Sequence, residues 1–208
     1  MAVEGYPFIG LFAFLTLLFA VLGWKCLFVQ GLALTLFSIY FFRNPDRHPP
    51  EGENLALSPA DGKVVFAGKV REDRFFEGQD VFKVSIFMNV FNVHVNRSPL
   101  TGKVVDTFYN RGRFFNASLD KASLENEQAG MLIELPDSRR VLCVQIAGLI
   151  ARRIVSYPEI GDLVERGCRY GLIRFGSRVD IYLPEDTELR VSLGDRTVAG
   201  ETVLGAVT

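Results

Sequence analysis

The dipeptide Gly176-Ser177, set in Arg174-Phe-Gly-Ser-Arg-Val-Asp-Ile-Tyr-Leu-Pro184, puts a hydroxyl directly after the one residue type that lacks a Cβ. Such a backbone can twist until the serine oxygen meets the preceding carbonyl carbon. Attack there exchanges the peptide bond for an ester. Elimination from the ester leaves dehydroalanine at a new N-terminus, and loss of its nitrogen as ammonia leaves a pyruvoyl group, so the chain would make its own electrophile. Gly-Ser is also an ordinary turn dipeptide, and the rest of the sequence has to decide between the two readings.

Three further places hold groups that chemistry could use. In Ser58-Pro-Ala-Asp61-Gly62 a carboxylate sits on a tight turn at the mouth of a strand, from which it could reach a site without burying its charge. The plainer reading is an Asp-Gly turn. In Asn92-Val-His94-Val-Asn96 the alternation predicts a strand with Asn92, His94 and Asn96 on one face and Val93 and Val95 on the other. His94 between two amides could act as acid or base near neutrality, or simply satisfy a strand hydrogen bond. Arg97, Arg111, Arg113, Lys121, Arg152 and Arg153 could pair with a phosphate or carboxylate, or be solvated surface charges. The two histidines and three scattered cysteines show no metal-ligand spacing, and no glycine-rich phosphate loop or Gly-x-Ser-x-Gly elbow is present.

These groups sit in a chain of 208 residues, enough for one domain with an appendage. A formal net charge of −1 without a dense Lys/Arg run argues against a nucleic-acid partner, and the cysteines Cys26, Cys143 and Cys168 suggest no disulfide framework. Apolar residues crowd the N-terminus. Pro7 to Gly23 and Cys26 to Phe42 carry no charge and are separated by Trp24-Lys25, which predicts a membrane hairpin. At about 1.5 Å per residue each arm is about 25 Å long, so two thin spans or one half-inserted hairpin both remain open. A buried hairpin of a soluble domain is the non-membrane alternative. Arg43 and Arg47 at the exit, against Lys25 at the turn, favour a cytoplasmic position for the remainder of the chain.

From about residue 55 strand periods take over, as in Val81 to Phe87, Met131 to Leu135 and Arg178 to Leu183. Asp61-Gly62, Thr101-Gly102, Gly161-Asp162 and Gly194-Asp195 punctuate them, so the expected fold is mainly β, a sandwich or barrel. Only residues 117 to 128 read as loop or brief helix. Pro59-Ala-Asp-Gly-Lys-Val-Val65 returns forty positions later as Pro99-Leu-Thr-Gly-Lys-Val-Val105, which suggests two similar turn-to-strand starts in one sheet system.

Taken in order, Tyr40-Phe-Phe-Arg-Asn-Pro-Asp-Arg47, Ser58-Pro-Ala-Asp-Gly-Lys-Val-Val65, Phe91-Asn-Val-His-Val-Asn-Arg-Ser-Pro99, Phe115-Asn-Ala-Ser-Leu-Asp-Lys-Ala-Ser-Leu-Glu-Asn126 and Arg174-Phe-Gly-Ser-Arg-Val-Asp180 resemble the short bacterial and archaeal form of phosphatidylserine decarboxylase. The resemblance implies a hydrophobic hairpin over 1–45 and a β-rich catalytic domain over 46–208. It implies a proenzyme cut between Gly176 and Ser177 into a β subunit, 1–176, and an α subunit, 177–208, blocked by a pyruvoyl group from Ser177. That covalent cofactor would condense with the serine amine of phosphatidylserine in the membrane and accept the electrons released with CO₂. Asp61 matches the family's processing acid-base residue and His94 a histidine near the substrate, here the candidate general acid, while Arg97, Asn92 and Asn96 are candidate substrate contacts. Longer relatives carry His-x-x-His where this chain reads His94-Val-Asn-Arg97, so the second histidine of their Asp-His-Ser triad has no counterpart. Rival readings are a pyruvoyl decarboxylase of free amino acids and a membrane-tethered β-sandwich adaptor without activity. Oligomeric state stays open, a homo-oligomer included.

Overall fold

The structure is a computed structural model that describes residues 1–52, 54–112, 126–148, 153–174 and 177–207. Arg113, Lys121, Arg152, Gly176 and most of the Phe115 to Asn126 motif fall outside the described residues. The chain divides into two compact units, Met1–Asp46 and Arg47–Thr208.

The first unit is helical. After a short 3₁₀ turn at Val3–Gly5, helix α1 runs Tyr6–Val21 and helix α2 Lys25–Phe41. Gly23, at φ 73°, ends α1 in a left-handed cap. Its N–H bonds Ala20 O at 3.2 Å and the next N–H, of Trp24, bonds Phe19 O at 3.0 Å, which satisfies the last carbonyls and turns the chain back. The helices pack where side chains are small: the hydroxyls of Thr16 and Thr35 lie 3.3 Å apart, and a Cβ on Gly31 would sit 2.7 Å from Thr16 Oγ1. Leu11, Phe14, Leu17 and Val21 of α1 are exposed. Val3–Val21 is long and apolar enough to cross a membrane, whereas Lys25–Phe41 is shorter.

The second unit is β throughout its described residues. Strands β1 (Leu55–Leu57), β2 (Gly62–Glu72), β3 (Gln79–Met88), β4 (Val95–Arg97), β5 (Gly102–Asn110), β6 (Gln128–Glu134) and β7 (Arg140–Ala147) are followed by β8 (Ile154–Ser156), β9 (Leu163–Val164), β10 (Arg169–Ile173), β11 (Ser177–Leu183), β12 (Glu188–Leu189), β13 (Arg196–Thr197) and β14 (Val203–Ala206). Eight of them form one antiparallel sheet, ordered β13-β2-β3-β11-β7-β6-β5-β9 and curled into a half-barrel. Two three-stranded sheets, β1-β14-β12 and β4-β10-β8, complete the unit. Inward side chains such as Val64, Ile86, Met131, Cys143, Val179 and Ile181 share one core. The outer face of the half-barrel carries a second cluster, around Phe76, Leu132, Leu142 and Ile146.

The heptapeptide echo reflects one wiring scheme used twice. The N–H of Arg97 bonds Pro59 O and that of Leu57 bonds Pro99 O, both at 3.0 Å. Val64 N bonds Asp195 O and Val104 N bonds Asp162 O, both at 2.8 Å. The eight-stranded order therefore reads alike from either edge, β13-β2-β3-β11 against β9-β5-β6-β7. Both echoed glycines face a neighbouring backbone: an added Cβ would lie 2.3 Å from Phe87 O at Gly62 and 2.6 Å from Glu134 O at Gly102. Close approach of this kind admits only glycine.

Candidate active site

Strand β11 lies between β3 and β7, so its backbone is bonded on both sides and both of its faces are covered. Ser177 opens it, paired with Met88 on β3 and Ala147 on β7. The two-residue period sends Ser177, Val179, Ile181 and Leu183 inward, and Arg178, Asp180 and Tyr182 outward. The outward charges are mutually compensated. Asp180 holds Arg178 Nε at 2.8 Å, Arg178 Nη2 at 3.1 Å and Lys83 Nζ at 2.9 Å. Burial pulls the Lys83 pKa down, but Asp180 outweighs it and holds the ammonium above its ordinary 10.5. Ser177, by contrast, is fully buried and its Oγ has no hydrogen-bond partner among the described residues. An unsatisfied buried hydroxyl is costly, so stability does not account for a serine at this position.

The expected strand over Asn92 to Asn96 needs correcting. Only Val95–Arg97 is strand, Asn92 lies in a bend, and His94 and Asn96 are as buried as Val93 and Val95. The segment has no polar, solvent-facing side because β4 is covered on both sides. Asn92 serves the bend, its Oδ1 accepting from Asn89 N at 2.9 Å. His94 Nδ1 lies 3.0 Å from Asn92 O; a carbonyl only accepts, so Nδ1 carries the proton and Nε2 is the nitrogen that can exchange one. Asn96 is enclosed, its Nδ2 directed at Pro59 O (3.4 Å) and Met88 Sδ (3.7 Å) and its Oδ1 receiving Gln145 Nε2 at 2.9 Å. Met88 is the pairing partner of Ser177, so Ser177, Met88, Asn96 and Gln145 line one inward corner of the half-barrel.

Asp61 also differs from the sequence reading. Its carboxylate is largely buried, because Arg47 Nη2 reaches both oxygens at 2.8 and 3.0 Å and Ala199 N–H donates to Oδ1 at 2.7 Å. Arg47 also lies 3.6 Å from Glu201, which ties it further into this turn; Arg43 instead stacks on Tyr40, 3.9 Å from the ring centroid. No described hydrogen bond joins Asp61 to Ser177. Lys63 pairs with Phe87 on one side of β3 and Ser177 with Met88 on the other, so Gly62 and Ser177 flank Met88, two strand spacings or roughly 10 Å apart. Arg97 donates to Gly167 O at 2.8 Å. A cavity of about 380 Å³ lined by Phe76, Asp80, Arg139 and Arg140 lies beside Pro184 and Glu185, at the far end of β11 from Ser177, and includes none of the candidate residues.

The sequence reading missed Gln145, Met88 and the role of Arg47. Gln145 had one legible signal, a lone amide in the otherwise apolar strand Val141 to Ala147.

A serine and two carboxamides buried at one corner of a packed β core suit a reaction site better than a surface for an adaptor. Comparison with known proteins sharpens the class. The phosphatidylserine decarboxylase family model matches residues 34–205. A phosphatidylserine decarboxylase proenzyme of Syntrophotalea carbinolica is 63% identical over 205 residues, covering 99% of this chain and 95% of the relative. Proenzymes of the same name from Geotalea uraniireducens (54% identical; 99% and 95% covered) and Geotalea daltonii (52%; 100% and 97%) agree over nearly the full length. The chain belongs to the phosphatidylserine decarboxylase family.

Proposed function

We propose that this chain is a self-processing phosphatidylserine decarboxylase that forms phosphatidylethanolamine and CO₂ at the cytoplasmic face of the cell membrane. The observation that carries the reading is the fully buried Ser177 hydroxyl, without a partner among the described residues, at the first residue of a central strand in a family whose curated members are named proenzymes. Ser177 Oγ attacks the Gly176 carbonyl carbon. The C–N bond breaks as the C–O bond forms, and the hydroxyl proton passes to the Ser177 nitrogen. Removal of the Ser177 Cα proton then expels the Gly176 carboxylate from Cβ, and water replaces the nitrogen, which leaves as ammonia. Asp61 is the proposed base for this processing, held by Arg47 and the Ala199 N–H and acting across the gap beside Met88 through an intervening group.

The buried surroundings of Ser177, where Met88 and the Asn96 and Gln145 carboxamides line one corner, fit the pyruvoyl group that processing would leave. That group supplies an electron-poor carbonyl for the head-group amine and a sink for the electrons released with CO₂. The chain's own part is to exclude water and move protons. His94, its Nδ1 held by Asn92 O, delivers a proton from Nε2 to the substrate carbon after CO₂ departs. Residues 1–176 and 177–208 stay together because β11 is bonded to β3 and β7 of the other piece. The substrate is a bilayer lipid, and the apolar Val3–Val21 segment, at about 1.5 Å per residue, comes close to the roughly 30 Å of a hydrocarbon core.

Intact-protein mass spectrometry tests the reading directly. Purified protein is expected as two chains divided after Gly176, the smaller lacking a free amine, and Ser177→Ala as one uncut chain. Cleavage of that variant at the same bond would overturn the mechanism.

A further inference from the structure

The doubled wiring supplies an internal comparison for the site. Asn96 pairs with Gly171 as Ala56 pairs with Gly205. Gly62 lies against Phe87 O as Gly102 lies against Glu134 O, so the pair Phe87–Arg178 in one half answers to Glu134–Arg140 in the other. Five residues further along each central strand, Leu183 answers to Gln145. Ala56 and Leu183 are fully buried, apolar and part of the core. The scaffold therefore needs neither amide, since its other half fills the same inward places without one.

The Gln145 carboxamide is nevertheless firmly oriented. Nε2 donates to Asn96 Oδ1 at 2.9 Å, and Asn96 Nδ2 faces Pro59 O, an acceptor, so neither amide can be reversed without setting two acceptors together. The group rests on Gly171, where a Cβ would lie 2.8 Å from Nε2 and 3.3 Å from Oε1 and, closer still, 2.4 Å from the Val155 backbone oxygen, so only glycine fits there. Oε1 is buried and has no partner among the described residues, a costly state for a carboxamide oxygen. On the same face, Ser177 pairs with Ala147 and Val179 with Gln145, which makes Ser177 and Gln145 diagonal neighbours about 7–8 Å apart, within reach of a long side chain. Two buried oxygens without a partner among the described residues thus lie on one face of neighbouring strands, and one of them carries a proton.

We propose that Gln145, braced by Asn96, is a positioning residue for self-cleavage: its carboxamide oxygen accepts the Ser177 hydroxyl hydrogen bond and so holds Oγ for attack on the preceding carbonyl. The inference rests on the self-processing reading above. No electron pair moves through Gln145; its role ends when the C–O bond has formed.

Full-length protein is followed by gel and mass spectrometry as the precursor converts to two chains, with and without hydroxylamine, which cleaves an ester but not a peptide bond. Gln145→Met, which keeps the length but loses the acceptor, is expected to slow conversion by about 10- to 100-fold, the loss of one well-placed hydrogen bond. Hydroxylamine should not restore it, because no ester has formed. The Ser177→Ala/Gln145→Met protein should melt below Ser177→Ala, because Asn96 Oδ1 loses its donor, but should still unfold cooperatively well above the temperature at which conversion is followed. Wild-type conversion by Gln145→Met overturns the inference while leaving the processing reading intact; rapid hydroxylamine release also overturns it, because Gln145 would then act after the ester. Should Gln145→Met fail to fold, Gln145→Asn retains both amide groups but withdraws the oxygen by one methylene, and slowed conversion supports the inference whereas a wild-type rate overturns it. Cleavage of Ser177→Ala itself would instead remove the underlying reading.

Discussion

The Arg47–Asp61 pair separates a chemical role for Asp61 from a structural one. Both side chains are more than four-fifths buried, at 12% and 14% exposed, and their contact is two-pronged. Removing one partner of a buried ion pair typically costs about 3–5 kcal/mol. Here the survivor keeps company, since Asp61 retains the Ala199 N–H and Arg47 retains Glu201 at 3.6 Å, so the expected loss is nearer 2–3 kcal/mol. For a unit of this size that lowers Tm by roughly 5–10 °C. Thermal unfolding of Arg47→Met and Asp61→Asn, each in the uncleavable Ser177→Ala background, should show similar losses. Their cleavage with Ser177 restored should diverge: Arg47→Met keeps the carboxylate and is expected to process below its melting range, whereas Asp61→Asn stays uncut. If the two slow processing equally, Asp61 serves only the turn and the base assignment fails. If neither lowers Tm, the reasoning about the buried pair is wrong.

His94→Ala should still yield both chains but decarboxylate about 10²–10⁴-fold more slowly, because it lacks the proton donor needed after CO₂ leaves; near-wild-type kcat in the fully processed variant would remove His94 from the mechanism. Gly62→Ala and Gly102→Ala should each destabilise the fold by about 3 kcal/mol, since the new methyl meets a carbonyl oxygen fixed in the adjacent strand. Urea unfolding in the Ser177→Ala background measures both, and an unchanged midpoint at either site would contradict the close backbone approach.

Much was legible along single strands and helices. The alternation in Val81 to Phe87, Met131 to Leu135 and Arg178 to Leu183 falls within β3, β6 and β11, and the echoed heptapeptides start β2 and β5. The order of motifs around Gly176-Ser177 named the family. Such signals are local: periodicity depends on neighbouring residues, and the glycine before a serine is a property of one peptide bond. What the sequence could not show was which strands lie side by side. Gln145 looks like an incidental amide in an apolar strand until the register of β7 against β11 sets it diagonal to Ser177. Asn92 to Asn96 alternates as a half-exposed strand would, yet β4 is covered on both sides and the alternation separates nothing. Arg47, read as one of two positive charges at the exit of the hairpin, is bound to Asp61, fourteen residues away. Residue types and spacing along the chain determined the strands, the hairpin and the chemistry on offer; only the tertiary pairing of distant segments decided which polar atoms are buried together and which of them are satisfied, because burial and hydrogen bonding are properties of neighbours in space.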